Sequence, residues 1–237
     1  MNLPRLMALL AACLLGSCID SREEVWLEAD GSGRAEISCS LPASAARFQG
    51  GEAGIRKLIG DFLTNTPTIK SSSHEVTTED ERVKIRVRVA FDSALDLQEI
   101  STSESMTKLP SSAADLAGQV DVKVHGRTVD FTRRISAASA LPGAVFMPAS
   151  NFEGRRLVYI MHLPAAADVS NATRTENDGR TLIWDFPLGQ ALKGPVTTRF
   201  TMPIPIPTWL IIAVVAISLL AGWLVLFVIR ARVSPKS

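Results

Sequence analysis

Residues 82–91 read RVKIRVRVAF, and their reading decides the fold. Val83, Ile85, Val87, Val89 and Phe91 alternate with Arg82, Lys84, Arg86 and Arg88. Strict period two over ten residues marks a strand with one apolar face and one wet face. On the N-terminal side, Thr68 to Thr78 is a polar strand candidate, and before it the period changes. Between Glu52 and Asn65, the residues Ile55, Leu58, Ile59, Phe62 and Leu63 follow the i, i+3, i+4, i+7, i+8 spacing of an amphipathic helix. Leu58→Asp is therefore expected to unfold the domain by burying an unpaired charge.

Further out, Glu24 to Ala29 and Arg34 to Leu41 flank Asp30-Gly31-Ser32-Gly33, a composition that supplies the positive φ a hairpin needs. The strands holding Val25 and Ile37 should pair through it. On the C-terminal side, helices are expected between Ser93 and Gly118. Val120 to Val124 and Thr128 to Ile135 then surround a turn at His125-Gly126-Arg127. Leu157 to Leu163 is apolar on both faces, as in a strand covered on both sides. Asp168 to Glu176 and Arg180 to Phe186 enclose Asn177-Asp178-Gly179, another hairpin turn. Hairpins with segregated helices predict an α+β fold: an antiparallel sheet with one long helix and one or two shorter helices packed on it.

The two ends of the chain carry apolar segments. Leu6 to Leu15 is a ten-residue apolar run behind Arg5, and it closes on Leu15-Gly16-Ser17-Cys18. The run is short for a membrane span and has the shape of a signal-peptide core, with the ending of a bacterial lipobox. Thr208 to Ile229 gives 22 uncharged residues followed by Arg230, Arg232 and Lys236. A C-terminal transmembrane helix with its tail in the cytoplasm is expected there. The organisation expected is a lipoprotein signal peptide at 1–17, an extracytoplasmic domain at 18–207, a span at 208–229 and a tail at 230–237. The alternate prolines of Met202 to Pro207 favour a short extended junction. The site expected is the outer face of the cytoplasmic membrane, with the N-terminus lipid-anchored at Cys18.

Composition narrows the function. Of 25 basic residues, Arg5, Arg230, Arg232 and Lys236 lie outside 19–207, which leaves that segment about −3 against its 24 acids. That balance argues against a nucleic-acid partner. Cys13 leaves with the signal peptide and Cys18 is the lipidation residue, so Cys39 alone remains, on the apolar face of its strand, as a buried core residue. His74, His125 and His162 fall on separate elements without metal-site spacing, and no catalytic fingerprint appears. No enzyme activity, metal or cofactor is expected.

The lipobox, the Trp26-to-Gly33 hairpin, Ser170-Asn171-Ala172-Thr173 before Asn177-Asp178-Gly179-Arg180, the Trp184 strand and the terminal span together resemble the LppM-like family of bacterial lipoproteins. The resemblance implies a helix-grip or Bet v 1-like outer domain and a lipid-handling role, because the family's mycobacterial member is linked to glycolipid binding. The family assigns no catalytic residue. The expected partner is a membrane lipid or other amphiphile, in an apolar cavity lined by Phe62, Phe146, Met147, Tyr159, Met161 and Trp184. The uncharged, Pro/Gly-bearing stretch from Ser136 to Asn151 would be its lid or would complete the core. The Arg82, Lys84, Arg86, Arg88 row has cations about 7 Å apart. It is either a head-group contact or a solvated face balanced by Glu75, Glu79 and Asp121. A non-catalytic envelope interaction module and an exported hydrolase are the alternative functions.

Overall fold

The computed structural model describes residues 20–108, 111–141, 144 and 148–205; Cys18, Phe146, Met147 and the terminal segments lie outside them. Eleven strands run through the described residues: β1 (Asp20–Leu27), β2 (Gly33–Pro42), β3 (Ile69–Glu79), β4 (Arg82–Phe91), β5 (Gln119–His125), β6 (Thr128–Ile135), β7 (Arg156–His162), β8 (Val169–Ser170), β9 (Arg174–Glu176), β10 (Thr181–Pro187) and β11 (Val196–Pro203). The helices are α1 (Ala43–Ala46), α2 (Gly51–Thr64), α3 (Asp96–Thr102), α4 (Glu104–Thr107), α5 (Ser111–Ala117), α6 (Ala137–Ala140) and α7 (Leu188–Ala191). The chain divides after Ile204 into this folded unit and a C-terminal piece, Pro205–Ser237.

The readings of the Asp30–Gly33 hairpin, the Ile55–Leu63 helix and the Val83–Phe91 strand hold, whereas Leu157–His162 keeps its outer face open at Val158 and Asp168–Glu176 is split between two sheets. β1 and β2 pair antiparallel from Asp20↔Ser40 to Leu27↔Gly33, around the predicted turn. Gly33 is obligatory in this hairpin, because a Cβ there would sit 2.4 Å from the Trp26 carbonyl and 2.6 Å from the Phe91 ring. β3 and β4 form the next hairpin. Its turn residues Asp80 and Glu81 both have positive φ, at 51° and 60°, as a two-residue type I′ connection requires. α2 covers the predicted helix.

The global reading is corrected. Among the described residues strand is the main regular structure, in a seven-stranded sheet of order β3-β4-β2-β1-β7-β10-β9 and a four-stranded sheet of order β5-β6-β11-β8. The larger sheet is mixed, because β7 lies parallel to β1. α2 has 14 residues, and the other α-helices have four to seven. The expected α+β arrangement, one antiparallel sheet under a long helix, is therefore wrong. Its error is physical: β5, β6 and β11 each have one apolar face, and burying it needs a second layer rather than an edge position. The C-terminal transmembrane helix expected from the sequence is not seen. No helix among the described residues is long and apolar enough to cross a membrane, and residues 208–229 lie outside them.

One face of the large sheet is covered in two halves. Over β1, β7 and β10 the small sheet supplies Phe131, Ile135, Phe200 and Met202 against Val25, Leu157, Tyr159, Met161, Leu182 and Trp184. Over β3 and β4, α1 and α2 close a smaller core of Ala46, Ile55, Val76 and Val83. Leu58 is only half-buried there, whereas Ile55 and Leu63 are buried, so Leu58→Asp is expected to be milder than the helical wheel suggests. The other face of the large sheet is the outer one.

Asp20 and Ile204 lie at opposite poles of this unit. Asp20 sits where β2 ends and β7 begins. β10 runs from the level of His162 to that of Arg156, and β11 then returns the chain to the first level, where the Thr201 carbonyl accepts from Asp168 N at 2.8 Å.

Candidate functional site

The register of the large sheet determines what its outer face presents. Rows run across the strands: Glu75–Arg86–Ser38–Arg22–Val158 and, one step nearer the β1 start, Thr77–Lys84–Ser40–Asp20. The central strand β2 thus contributes two small side chains, Ser38 and Ser40, between long charged ones. The result is an open trough of about 620 Å³, lined also by Glu79 and Arg156.

The four cations expected to form a row do form one, and each meets an acid or a hydroxyl. Arg82 Nε donates to Ser40 Oγ at 2.7 Å and lies 4.0 Å from Asp20. Lys84 bonds Glu79, which holds the amine above its ordinary range. Arg86 and Arg88 share Glu36 at 3.3 and 3.0 Å. Glu79 was among the acids anticipated. Glu36 and Asp20 were not, and Asp121 sits on the small sheet beside Lys123. The trough is a balanced polar surface rather than a purely cationic cradle.

Of the apolar residues expected to line a cavity, Phe146 and Met147 lie outside the described residues, and Phe62 sits apart from the other three. Tyr159, Met161 and Trp184 are 7, 7 and 1 % exposed within the core between the sheets, and Phe62 is half-buried on α2. Trp184 Nε1 donates to Asn171 Oδ1 at 2.8 Å, and its ring lies 6.4 Å from that of Phe200. Of the Ser136–Asn151 stretch, Leu141 and Ala144 join the same core. Beneath Tyr159, Arg133 reaches in from β6, its Nη1 2.6 Å from Glu23 Oε1 and its Nε 2.8 Å from the Ala117 carbonyl. Burial opposes its charge, but the Glu23 carboxylate outweighs that and holds the guanidinium above its usual range. Burial pushes the Tyr159 phenol up to about 12.

At the far end of the outer face, Arg34, Trp26 and His162 stand in one row. His162 stacks on Trp26 at 5.1 Å and Arg34 lies 4.6 Å from the Trp26 ring centre, so both faces of the indole are covered. His162 engages Glu24 Oε1 at 2.7 Å and Thr181 Oγ1 at 3.2 Å. Partial burial pushes the Glu24 carboxyl up, but its bonds with His162 and Arg22 outweigh that and leave it below the ordinary carboxylate range. The hydroxyl of this carboxylate-imidazole-hydroxyl chain, on Thr181, is buried. His74, His125 and His162 stay apart, and no metal-binding cluster occurs among the described residues.

Cys39 points to the covered side of β2, where burial pushes the thiol up to about 11. At pH 8 its alkylation by iodoacetamide should run on the order of a hundredfold slower than in the urea-unfolded chain, whose thiols ionise near 8.5. Equal rates would show a reactive cysteine. A second concavity, about 640 Å³ between α3–α5 and β5–β6, is rich in hydroxyls. Those of Ser101, Thr102, Ser103 and Thr107 all donate to carbonyls of their own helical segments, which leaves the trough on the large sheet as the better site.

No family model and no curated protein matches the chain. Among solved structures it is similar to the folded domain of Mycobacterium tuberculosis LppM, determined by NMR, at 15% identity and TM-score 0.52, over 80% of this chain and 92% of that one. The Fcho1 mu homology domain of Danio rerio with a bound Eps15 peptide aligns at 11% identity, over 78% of this chain and 79% of that one, with a TM-score of 0.26, too low to bear on the fold. The two-sheet domain described above has an LppM-like fold.

Proposed function

We propose that the chain is a non-catalytic, extracytoplasmic lipoprotein, acylated at Cys18 on the outer face of the bacterial cytoplasmic membrane, which holds the head group of a lipid or other amphiphile in the outer-face trough. One observation carries this reading. Asp20, two residues after Cys18, lines the trough, so an acylated Cys18 would lie within about 7 Å of chain from it. A site that close to the membrane meets lipid at high effective concentration, and weak contacts suffice for occupancy. The LppM-like fold agrees with this reading.

The packing of Tyr159, Met161 and Trp184 favours a surface site over an internal apolar cavity. The same observation favours a second reading, a non-catalytic envelope interaction module with a filled core. Two variants separate them. Cys18→Ala should abolish incorporation of labelled acyl chains. Ser38→Leu with Ser40→Leu fills the trough from its floor and should reduce lipid co-purifying with the extracted protein severalfold, with the far-ultraviolet spectrum unchanged. Undiminished lipid in that variant would remove the trough from consideration and leave the interaction module.

A further inference from the structure

Every open sheet presents outward-facing backbone donors and acceptors at its two edges, and folded proteins shorten or cover them. Three of the four edges here are managed. β8 and β9 have two and three residues. Beyond β8 the Asn171 amide continues the ladder along β11, accepting from Arg199 N at 2.7 Å and donating to the Thr197 carbonyl at 2.8 Å. On β5, the amides of Val120 and Val122 donate to Ser101 Oγ and Gln98 Oε1 of α3, at 3.3 and 3.0 Å. β3 differs from these: it is eleven residues long and largely exposed, and it has β4 on one side only.

Among the described residues, a side chain of α2 reaches to the backbone of that edge. Arg56 Nη2 of α2 donates to the Val76 carbonyl at 2.6 Å. That carbonyl therefore points out of the sheet, and by strand alternation so do the backbone groups of Ser72, His74 and Thr78. The surrounding charge is one-sided. Glu75, Asp80 and Glu81 have no ion-pair partner among the described residues, whereas Arg56, Lys70, Lys84 and Arg86 pair with Glu52, Asp92, Glu79 and Glu36.

We propose that β3 is a docking strand for an extended, basic segment of a partner protein, which adds beside it as an eighth strand with cations facing Glu75 and the Asp80–Glu81 turn. Main-chain bonds supply the affinity and the acidic surplus selects the partner. Arg56 gives up the Val76 carbonyl to an incoming amide. A second copy of this chain would set the acidic surplus against itself, and charge disfavours it.

The probe is acetyl-Lys-Thr-Val-Thr-Lys-Thr-Val-amide, whose lysines share one strand face. Its counterpart has glutamate at both lysine positions. Hydrogen exchange of the full chain in detergent, read over residues 69–79, should slow about fivefold or more with the basic peptide and not with the acidic one. Glu75→Lys combined with Glu81→Lys should abolish the effect. Arg56→Ala should strengthen it. No slowing with the basic peptide, equal slowing with both, or protection that rises with protein concentration alone would each overturn the proposal, the last in favour of self-association.

Discussion

Trp184→Ala should cost about 4 kcal/mol of stability, close to the upper end for a truncated core aromatic and a large share of what a domain of this size holds. The indole is 1 % exposed, lies opposite Tyr159 in the β7–β10 ladder and bonds Asn171, the residue that caps the β11 edge. Truncation therefore opens a void at the sheet interface and frees the edge cap together. Trp184→Phe should keep most of the packing and lose about 1 kcal/mol for the missing hydrogen bond. Urea unfolding followed by circular dichroism measures both. A cost below about 1 kcal/mol for Trp184→Ala would mean that the indole lines a ligand space rather than the core.

Arg133→Met should cost about 3 kcal/mol, because it strands the Glu23 carboxylate between the sheets. With Glu23→Leu added, most of that loss should return. A double variant as unstable as the single one would show that the guanidinium matters through its bond to the Ala117 carbonyl instead. Tyr159 adds a dependence on alkali. The unfolded phenol ionises near 10 while the folded one stays neutral up to about 12, so raising the pH through that window favours the unfolded chain. Stability should fall across it, and Tyr159→Phe should flatten the fall. An unchanged slope in the variant would assign the loss to other groups.

What was legible in the sequence was what is local. The Asp30–Gly33 and Asn177–Gly179 turns, the period change at Ile55 and the alternation from Val83 to Phe91 each rest on residues within one hairpin or helix. What was not legible is what joins distant segments. Nothing in Ser21–Trp26 announces that it lies parallel to Leu157–His162, and the apolar faces of Phe131 and Phe200 look alike whether they extend a sheet or form a second one. The site followed the same division. The cation row could be read from alternation alone, but Glu36 and Asp20 could not be matched to it without the β1–β2–β4 register, and the trough exists only because Ser38 and Ser40 fall between Arg86, Lys84 and the β1 side chains. Trp184 and Met161 looked like cavity residues because apolarity on its own does not distinguish a lining from a filling.

The opposite placement of Asp20 and Ile204 has a mechanical meaning. Tension applied between residue 20 and residue 204 would pull β1 along its own axis, while β2 and β7 grip it from both sides through eight and six register pairs. Load in that direction is shared by whole ladders at once instead of peeling them one bond at a time. It passes from one sheet to the other through the α7 connection between β10 and β11 and through side chains such as Glu23 with Arg133 and Trp184 with Phe200, because β1 and β11 belong to different sheets. In this geometry tension meets the β1 ladders in shear, and the seam between the layers carries what the ladders do not.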